Sequence, residues 1–257
     1  MGGRRTPPHA VHCQWGTLRG DAHNLSREHV AEWLMLLAID SATRKIGIAL
    51  YDGVEVVHEA VWHSRSHHTV ELTPAIEAAM ERAGVGVEDI EAIGVAIGPG
   101  SYTGLRIGTA VAKGLSLARR LPLIGVFTFD ILAAAQPVLE NLQLAVVLEA
   151  GRGRMAVGWF KAEDNAWHPA GKPELFTPME LSRKIRKPTV ICGELSEDVR
   201  KILRRKRKNA IVVSPAHSLR RPAFLAELAW ERWRAGEVDN PAEIAPFYLH
   251  TGENIPS

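Results

Sequence analysis

Leu36-Leu37-Ala38-Ile39-Asp40-Ser41-Ala42-Thr43-Arg44-Lys45-Ile46-Gly47-Ile48-Ala49-Leu50-Tyr51-Asp52-Gly53 is the stretch from which the fold is read. Residues 36–39 form a continuous apolar strand. The chain turns at Ser41, Ala42 and Thr43 and returns over 45–51, with Ile46, Ile48 and Leu50 on one face of a period-two pattern. Asp52-Gly53 reads as a two-residue hairpin turn, because both central positions favour positive φ. Residues 54–62 follow as a third strand. The opening is an antiparallel meander, not a βαβ unit.

Downstream, residues 69–83 carry a helical period with Leu72, Ile76, Ala79 and Met80 on one face and Gly84 as the stop. Residues 90–97 read as a buried strand, 103–119 as a helix, 121–126 as a strand and 129–138 as a short helix. This β-β-β-α-β-α order is that of an RNase H-like lobe. After Leu142 the pattern partly repeats. Strands at 144–148 and 155–160 precede a linker punctuated by Pro169, Pro173 and Pro178. A helix, a strand at 189–192, a helix at 194–208, a strand at 211–213 and a last helix at 219–235 complete it. The expected fold class is α/β: two tandem RNase H-like lobes of the actin/sugar-kinase/Hsp70 type, at 35–137 and 138–257, the second shortened and worn.

Residues 1–34 are different: Gly, Pro, His and Arg without period, read as a disordered extension or a mis-assigned start, Met35 being where a domain would begin. The Pro-Pro pair and the missing amphipathic pattern argue against a targeting peptide. With 257 residues, 46% of them apolar, the chain buries one large core or two apposed lobes. A net charge of +2 does not by itself call for nucleic acid or membrane. Two cysteines, Cys13 and Cys192, make no disulfide framework, and no apolar run reaches the roughly 20 residues of a membrane span. Both point to the cytoplasm.

Gly98-Pro99-Gly100-Ser101-Tyr102-Thr103-Gly104-Leu105-Arg106-Ile107-Gly108 is neither a Walker A loop nor a dinucleotide fingerprint. It reads as a strand end, a tight turn and a helix start with Ser101 or Thr103 as N-cap, whose N–H groups suit an anion. Within the helix Gly104, Gly108, Ala112 and Ser116 recur every four residues. Each interior glycine costs roughly 0.8–1 kcal/mol relative to alanine. Two explanations compete: close packing on this helix's own sheet, or close approach of a helix from another chain.

Asp40 ends the first strand where actin-like ATPases hold hydrated magnesium, with Ser41 and Thr43 as a first phosphate loop; Asp and Ser also simply favour such turns. Together with Gly98, Gly100 and Ser101 these residues make a candidate nucleotide site, vestigial or shared with a partner. The equivalent loop of the second lobe, Glu149-Ala150-Gly151-Arg152-Gly153-Arg154, lacks the expected aspartate, and Gly193 stands alone where an adenosine motif would have two glycines. His63, His67 and His68 lie between a strand and a helix, not on one helix face, so they read as capping or surface histidines, with no metal site. Arg200, Lys201 and residues 204–208 form the one dense basic run, either a solvated face or an RNA contact.

These residues resemble the TsaB (YeaZ) family of bacterial tRNA threonylcarbamoyladenosine biosynthesis proteins. The likeness covers residues 35 to about 135 and rests on Leu37-Ala38-Ile39-Asp40-Ser41, on His68, Leu72 and Pro74, and above all on Gly98 to Gly108. It thins to Pro246, Tyr248 and Leu249 in the second half. There His250 replaces an arginine, and Glu149-Ala150-Gly151 stands where the family tends to have Asp-Ala-Arg. The resemblance implies a non-catalytic subunit without cofactor or metal. Such a subunit pairs with the related TsaD, which modifies N6 of adenosine 37 in tRNAs reading codons that start with A. TsaE joins as a third component, tRNA is reached indirectly, and a homodimer replaces the pair when TsaD is absent. TsaD-like chains carry a His-x-x-x-His pair where this one reads Val126 to Leu132 without histidine. The resemblance also puts the partner interface on first-lobe helices, at Leu72, Ile76, Met80, Gly100, Thr103, Gly104, Arg106, Gly108 and Ala112. On that placement Gly108→Leu would leave the chain folded and abolish TsaD binding. The main competing reading is an active ATPase or small-molecule kinase of the same fold, using Asp40 and the Gly98–Gly108 loop; a metallopeptidase built on the histidines and a direct tRNA-binding module built on the basic run are the others.

Overall fold

The computed structural model describes residues 34–64, 68–206 and 208–249. The reading of residues 1–34 thus lies, Leu34 apart, outside the described residues. Strands β1 (Met35–Asp40), β2 (Lys45–Tyr51) and β3 (Val56–His63) form the meander. Helix α1 (His68–Ala83), strand β4 (Ile90–Gly98), helix α2 (Tyr102–Arg119), strand β5 (Leu123–Phe127) and short helix α3 (Thr128–Ala134) follow. The first sheet has the order β3-β2-β1-β4-β5, with β1 antiparallel to β2 and parallel to β4. The turn after β2 differs from the expected hairpin. Gly53 has positive φ (91°) and Asp52 does not. The Asp52 carboxylate instead accepts from the N–H groups of Val54 (2.8 Å) and Glu55 (2.6 Å), which lengthens the loop.

The second sheet repeats the plan. Strands β6 (Gln143–Glu149), β7 (Met155–Glu163), β8 (Ala166–Pro169), β10 (Thr189–Gly193) and β11 (Ala210–Val212) run in the order β11-β10-β6-β7-β8, the same order as the first sheet. Strand β9 (Glu174–Phe176) pairs separately with β7. The segment that reads as a proline-punctuated linker therefore contains two short strands. Helices α4 (Pro178–Lys184) and α5 (Glu197–Arg204) complete this lobe, α5 having 8 residues against 18 in its counterpart α2. The fold is two RNase H-like lobes in tandem, the second reduced.

The last helix, α6 (Pro222–Arg234), does not stay with the second lobe. It packs on β1, β2 and β4 of the first sheet, so the division at residue 138 misplaces the end of the chain. The cause lies in side-chain size. One face of the first sheet carries Leu37, Ile39, Ile46, Ile48 and Ile93 and is covered by α1 and α2. The other carries Ala38, Ala49, Ala92 and Ala96 and receives Leu225, Ala226 and Ala229 of α6. Glycines deepen that face: a Cβ on Gly94 would lie 2.7 Å from the Ala229 Cβ, and one on Gly47 would lie 3.0 Å from the Pro222 ring. Burial on both faces explains why β1 reads as unbroken apolar sequence.

Candidate functional site

The end of β1 and the start of α2 meet at the base of the cleft where an actin-like ATPase would bind nucleotide. Asp40 is 1% exposed, and its Oδ1 accepts from the Ala42 N–H at 2.9 Å. Its Oδ2 accepts from Arg220 Nε in a buried ion pair. Arg220, 5% exposed, also donates to Thr43 Oγ1 and to the Lys45 carbonyl, each at 3.2 Å. Glu194 Oε1 of the second lobe stands 3.9 Å from its Nη1. Burial alone would lower the guanidinium pKa; the Asp40 charge and hydrogen bond, then Glu194, raise it on balance and keep it cationic.

The glycine-rich loop is laced to the turn after β1. Ser101 N donates to the Ala42 carbonyl at 2.6 Å, and Ser41 Oγ donates to the Gly104 carbonyl at 2.8 Å. Side chains at Gly100, Gly104 or Gly108 would overlap Ala42 O, Ser41 O and Ser41 Oγ respectively. Ser101 is the N-cap, accepting from Gly104 N at 3.3 Å. The N–H groups of Ser101 and Gly104 are thus taken by the chain itself, and these glycines exist to let α2 lie against Ser41.

That geometry corrects part of the expected interface. Gly104, Gly108 and Ala112 face their own sheet, and Leu72 and Ile76 lie in the first-lobe core. Gly108→Leu would disturb the fold rather than spare it. Gly100, Thr103 and Arg106 are exposed, and Met80 is half-buried. Gly114, which falls outside the small-residue stripe read from the sequence, is exposed at mid-helix, and a Cβ placed on it would meet nothing within 4 Å.

In the second lobe, residues 149–154 make a tight turn closed by its own backbone, Ala150 N to Arg154 O at 3.0 Å and Arg154 N to Gly151 O at 2.9 Å. Glu194, just past the end of β10, reaches that loop: its Oε2 accepts from Glu149 N at 3.0 Å. The basic run divides. Arg200 is buried and donates to Leu195 O (3.1 Å), Val213 O (2.6 Å) and Ser218 Oγ (3.2 Å). Burial and the neighbouring Arg204 charge lower its pKa. Lys201 is exposed and pairs with Glu197 at 2.7 Å, and Arg204, Arg205, Lys206 and Lys208 are exposed as well. His68 is buried with Nε2 3.1 Å from the Thr43 carbonyl, while His63 is exposed; His67 lies outside the described residues.

The Pro-x-Tyr-Leu element crosses the glycine loop. Phe247 N donates to Ile97 O at 2.7 Å, and Tyr248 OH accepts from Arg106 Nε at 3.2 Å. The Tyr102 and Tyr248 rings stand 5.0 Å apart, with the Arg106 guanidinium 4.1 Å from the Tyr102 ring centre. Neither the Arg220 contact nor that of Tyr248 is visible in the sequence, because each residue comes from more than a hundred positions away along the chain.

The family model of TsaD, described as tRNA N6-adenosine threonylcarbamoyltransferase, matches residues 56–214. The chain is 28% identical over 230 residues to the tRNA threonylcarbamoyladenosine biosynthesis protein TsaB of Bacillus subtilis (strain 168), covering 86% of this chain and 96% of that relative. With TsaB of Haemophilus influenzae it shares 33% identity over 166 residues, 64% of this chain and 69% of the relative. The solved structure of YeaZ from Pseudomonas aeruginosa has the same fold, with a TM-score of 0.68 and 22% identity over 84% of this chain and 100% of that one.

Proposed function

The chain belongs to the TsaB (YeaZ) family, and from that membership we propose that it is a scaffold subunit in the biosynthesis of threonylcarbamoyladenosine at position 37 of tRNA, with no catalysis of its own. The observation that carries this reading is the Arg220–Asp40 pair. The carboxylate that would hold hydrated magnesium is held by a guanidinium, and the first phosphate loop is bonded to the glycine-rich loop. Phosphoryl transfer needs metal and phosphates positioned together, and the Asp40 carboxylate is already committed to Arg220. An active ATPase or kinase is the disfavoured alternative.

TsaD is the catalytic partner in this reading. It docks on the outward face of α1 and α2, where Thr103, Ala110, Gly114 and Leu117 are exposed and Met80 is half-buried. The roughly 0.8–1 kcal/mol that an interior glycine costs is not offset at Gly114 by a contact with any described residue; a helix of another chain lying close would offset it. Two copies pair through the same face when TsaD is absent. TsaE joins as the third component, and tRNA meets the chain through the complex, in the cytoplasm. No helix among the described residues is long and apolar enough to cross a membrane.

Co-purification with TsaD from the same genome tests the reading. Gly114→Trp and Leu117→Glu should abolish co-purification without lowering the thermal melting of the isolated chain. Retention of TsaD by both variants would move the interface elsewhere. Calorimetric binding of magnesium-ATP by the isolated wild-type chain would overturn the non-catalytic assignment.

A further inference from the structure

Between Glu91 and Asp130 the chain has no carboxylate and four cations: Arg106, Lys113, Arg119 and Arg120. Three of them, Arg106, Lys113 and Arg120, are spaced by seven residues, so they fall in one row along α2 about 10.5 Å apart. Arg120 is the C-cap and ends the row. Arg106 and Arg120 are exposed and Lys113 is half-buried. None of the three is ion-paired with a described residue. Asp239, the carboxylate that shares a shallow groove with Arg120, is already bound by Gly125 N at 2.7 Å and lies 3.5 Å from Arg232. Ile107, Val111 and Leu115 pack into the cluster that holds α1. They lie roughly 100–180° round the helix from this row, whereas Thr103, Ala110, Gly114 and Leu117, proposed for TsaD, lie roughly 20–80° from Arg106, so the row borders the TsaD face on the side away from α1.

At the head of the row stands the aromatic cluster. Tyr102 is 55% exposed, with the Arg106 guanidinium 4.1 Å from its ring centre and the Tyr248 ring 5.0 Å away. The Arg106 contact with Tyr248 fixes the guanidinium beside both rings. An unneutralised row of cations suits any anionic partner. A row that ends in an exposed tyrosine backed by a half-buried one, with a stacked arginine, suits a nucleic-acid strand in particular, because phosphates meet the cations while a base stacks on the exposed ring.

We infer that the Arg106–Lys113–Arg120 flank of α2, headed by Tyr102 and Tyr248, is an RNA-contact surface that touches the sugar-phosphate backbone and stacks one unpaired base. It rests on the tRNA-modification reading above, and names tRNA as a direct ligand of this subunit. Of the basic run at 200–208, Arg200 is buried and taken up within the chain, so it does not face RNA.

The test is fluorescence anisotropy with a labelled, unmodified tRNA transcript across a salt series, on the full chain alone and on its complex with TsaD. The triple variant R106E/K113E/R120E should bind at least tenfold more weakly. The neutral variant R106Q/K113Q/R120Q should lower the slope of log K against log salt by about 2, the share of three phosphate contacts. Tyr102→Ala should weaken binding while leaving the slope in place. Wild-type affinity and slope in both charge variants, or no tRNA binding by the wild type in either form, would overturn the inference. So would charge variants that keep tRNA but lose TsaD, which would make the flank a contact for an acidic protein surface. Failure of the wild-type chain to co-purify with TsaD is a separate outcome and bears on the scaffold reading alone.

Discussion

The Arg220 guanidinium rests on the Asp40 carboxylate, although the two residues are 180 positions apart in sequence. The segment that delivers Arg220 leads directly into α6, which covers the alanine face of the first sheet. Completion of the first lobe and neutralisation of its cleft are therefore one structural event. A buried pair of this kind is poor evidence of added stability, because desolvation offsets most of the attraction. Its consequence is chemical: Asp40 is committed.

Arg220→Met leaves a buried carboxylate without its partner, which costs about 3–5 kcal/mol. Urea unfolding should show that loss, and the double variant D40N/R220M should recover most of it. Equal destabilisation of the single and double variants would mean that the pair is not the source.

Two glycines of α2 should behave oppositely. Gly108→Ala pushes a methyl group into Ser41 and should lower the melting temperature clearly. Gly114→Ala meets open space and should stabilise the isolated chain by about 0.8–1 kcal/mol. Thermal denaturation of both variants separates the intramolecular from the outward-facing glycine; a destabilised Gly114→Ala would contradict the assignment.

The sequence showed much of this and missed the rest for identifiable reasons. Strand alternation at Ile46, Ile48 and Leu50 and the helical period of Leu72 and Ile76 report burial directly, so the first lobe was legible. The repeat was legible from β6, β7 and β10, whereas β8 and β9 are too short to carry a period between their prolines. A row of small residues such as Gly104, Gly108 and Ala112 permits approach from either side, and only Ser41's position decides the matter. The destination of α6 did leave a trace: Gly47, Ala49, Gly94 and Ala96 mark a face shaved for a helix, and the alanines of α6 match it. Arg220 left no trace, since nothing local ties an arginine to a distant aspartate.

Asp130, in the first turn of α3, should make stability depend on pH. Burial raises its pKa to about 6, partly countered by the Arg232 charge. A carboxyl group whose folded pKa lies above its unfolded value holds its proton more tightly in the native state. Stability therefore falls as pH rises from about 4 to about 6, by at most about 3 kcal/mol, and then levels. Asp130→Asn should remove that component, seen as a smaller fall in urea midpoint over the same window; an unchanged pH profile would contradict it.

Ending the chain at residue 218 removes Arg220 and α6 together. The alanine and glycine face of the first sheet is then open to water, and Asp40 loses its counter-ion. Such a fragment should aggregate or bind a hydrophobic dye such as ANS. A monomeric fragment with native melting would show that the last segment is not part of the first lobe.

The central proposition, a subunit that acts by assembly while its own cleft is closed, is tested most directly by omission. Unmodified tRNA is incubated with threonylcarbamoyl-adenylate and with this chain alone, TsaD alone, or both, and adenosine 37 is analysed by mass spectrometry. The expected result is no product from this chain alone and product above the TsaD-only level when both are present. Modified adenosine formed by this chain in the absence of TsaD would contradict it.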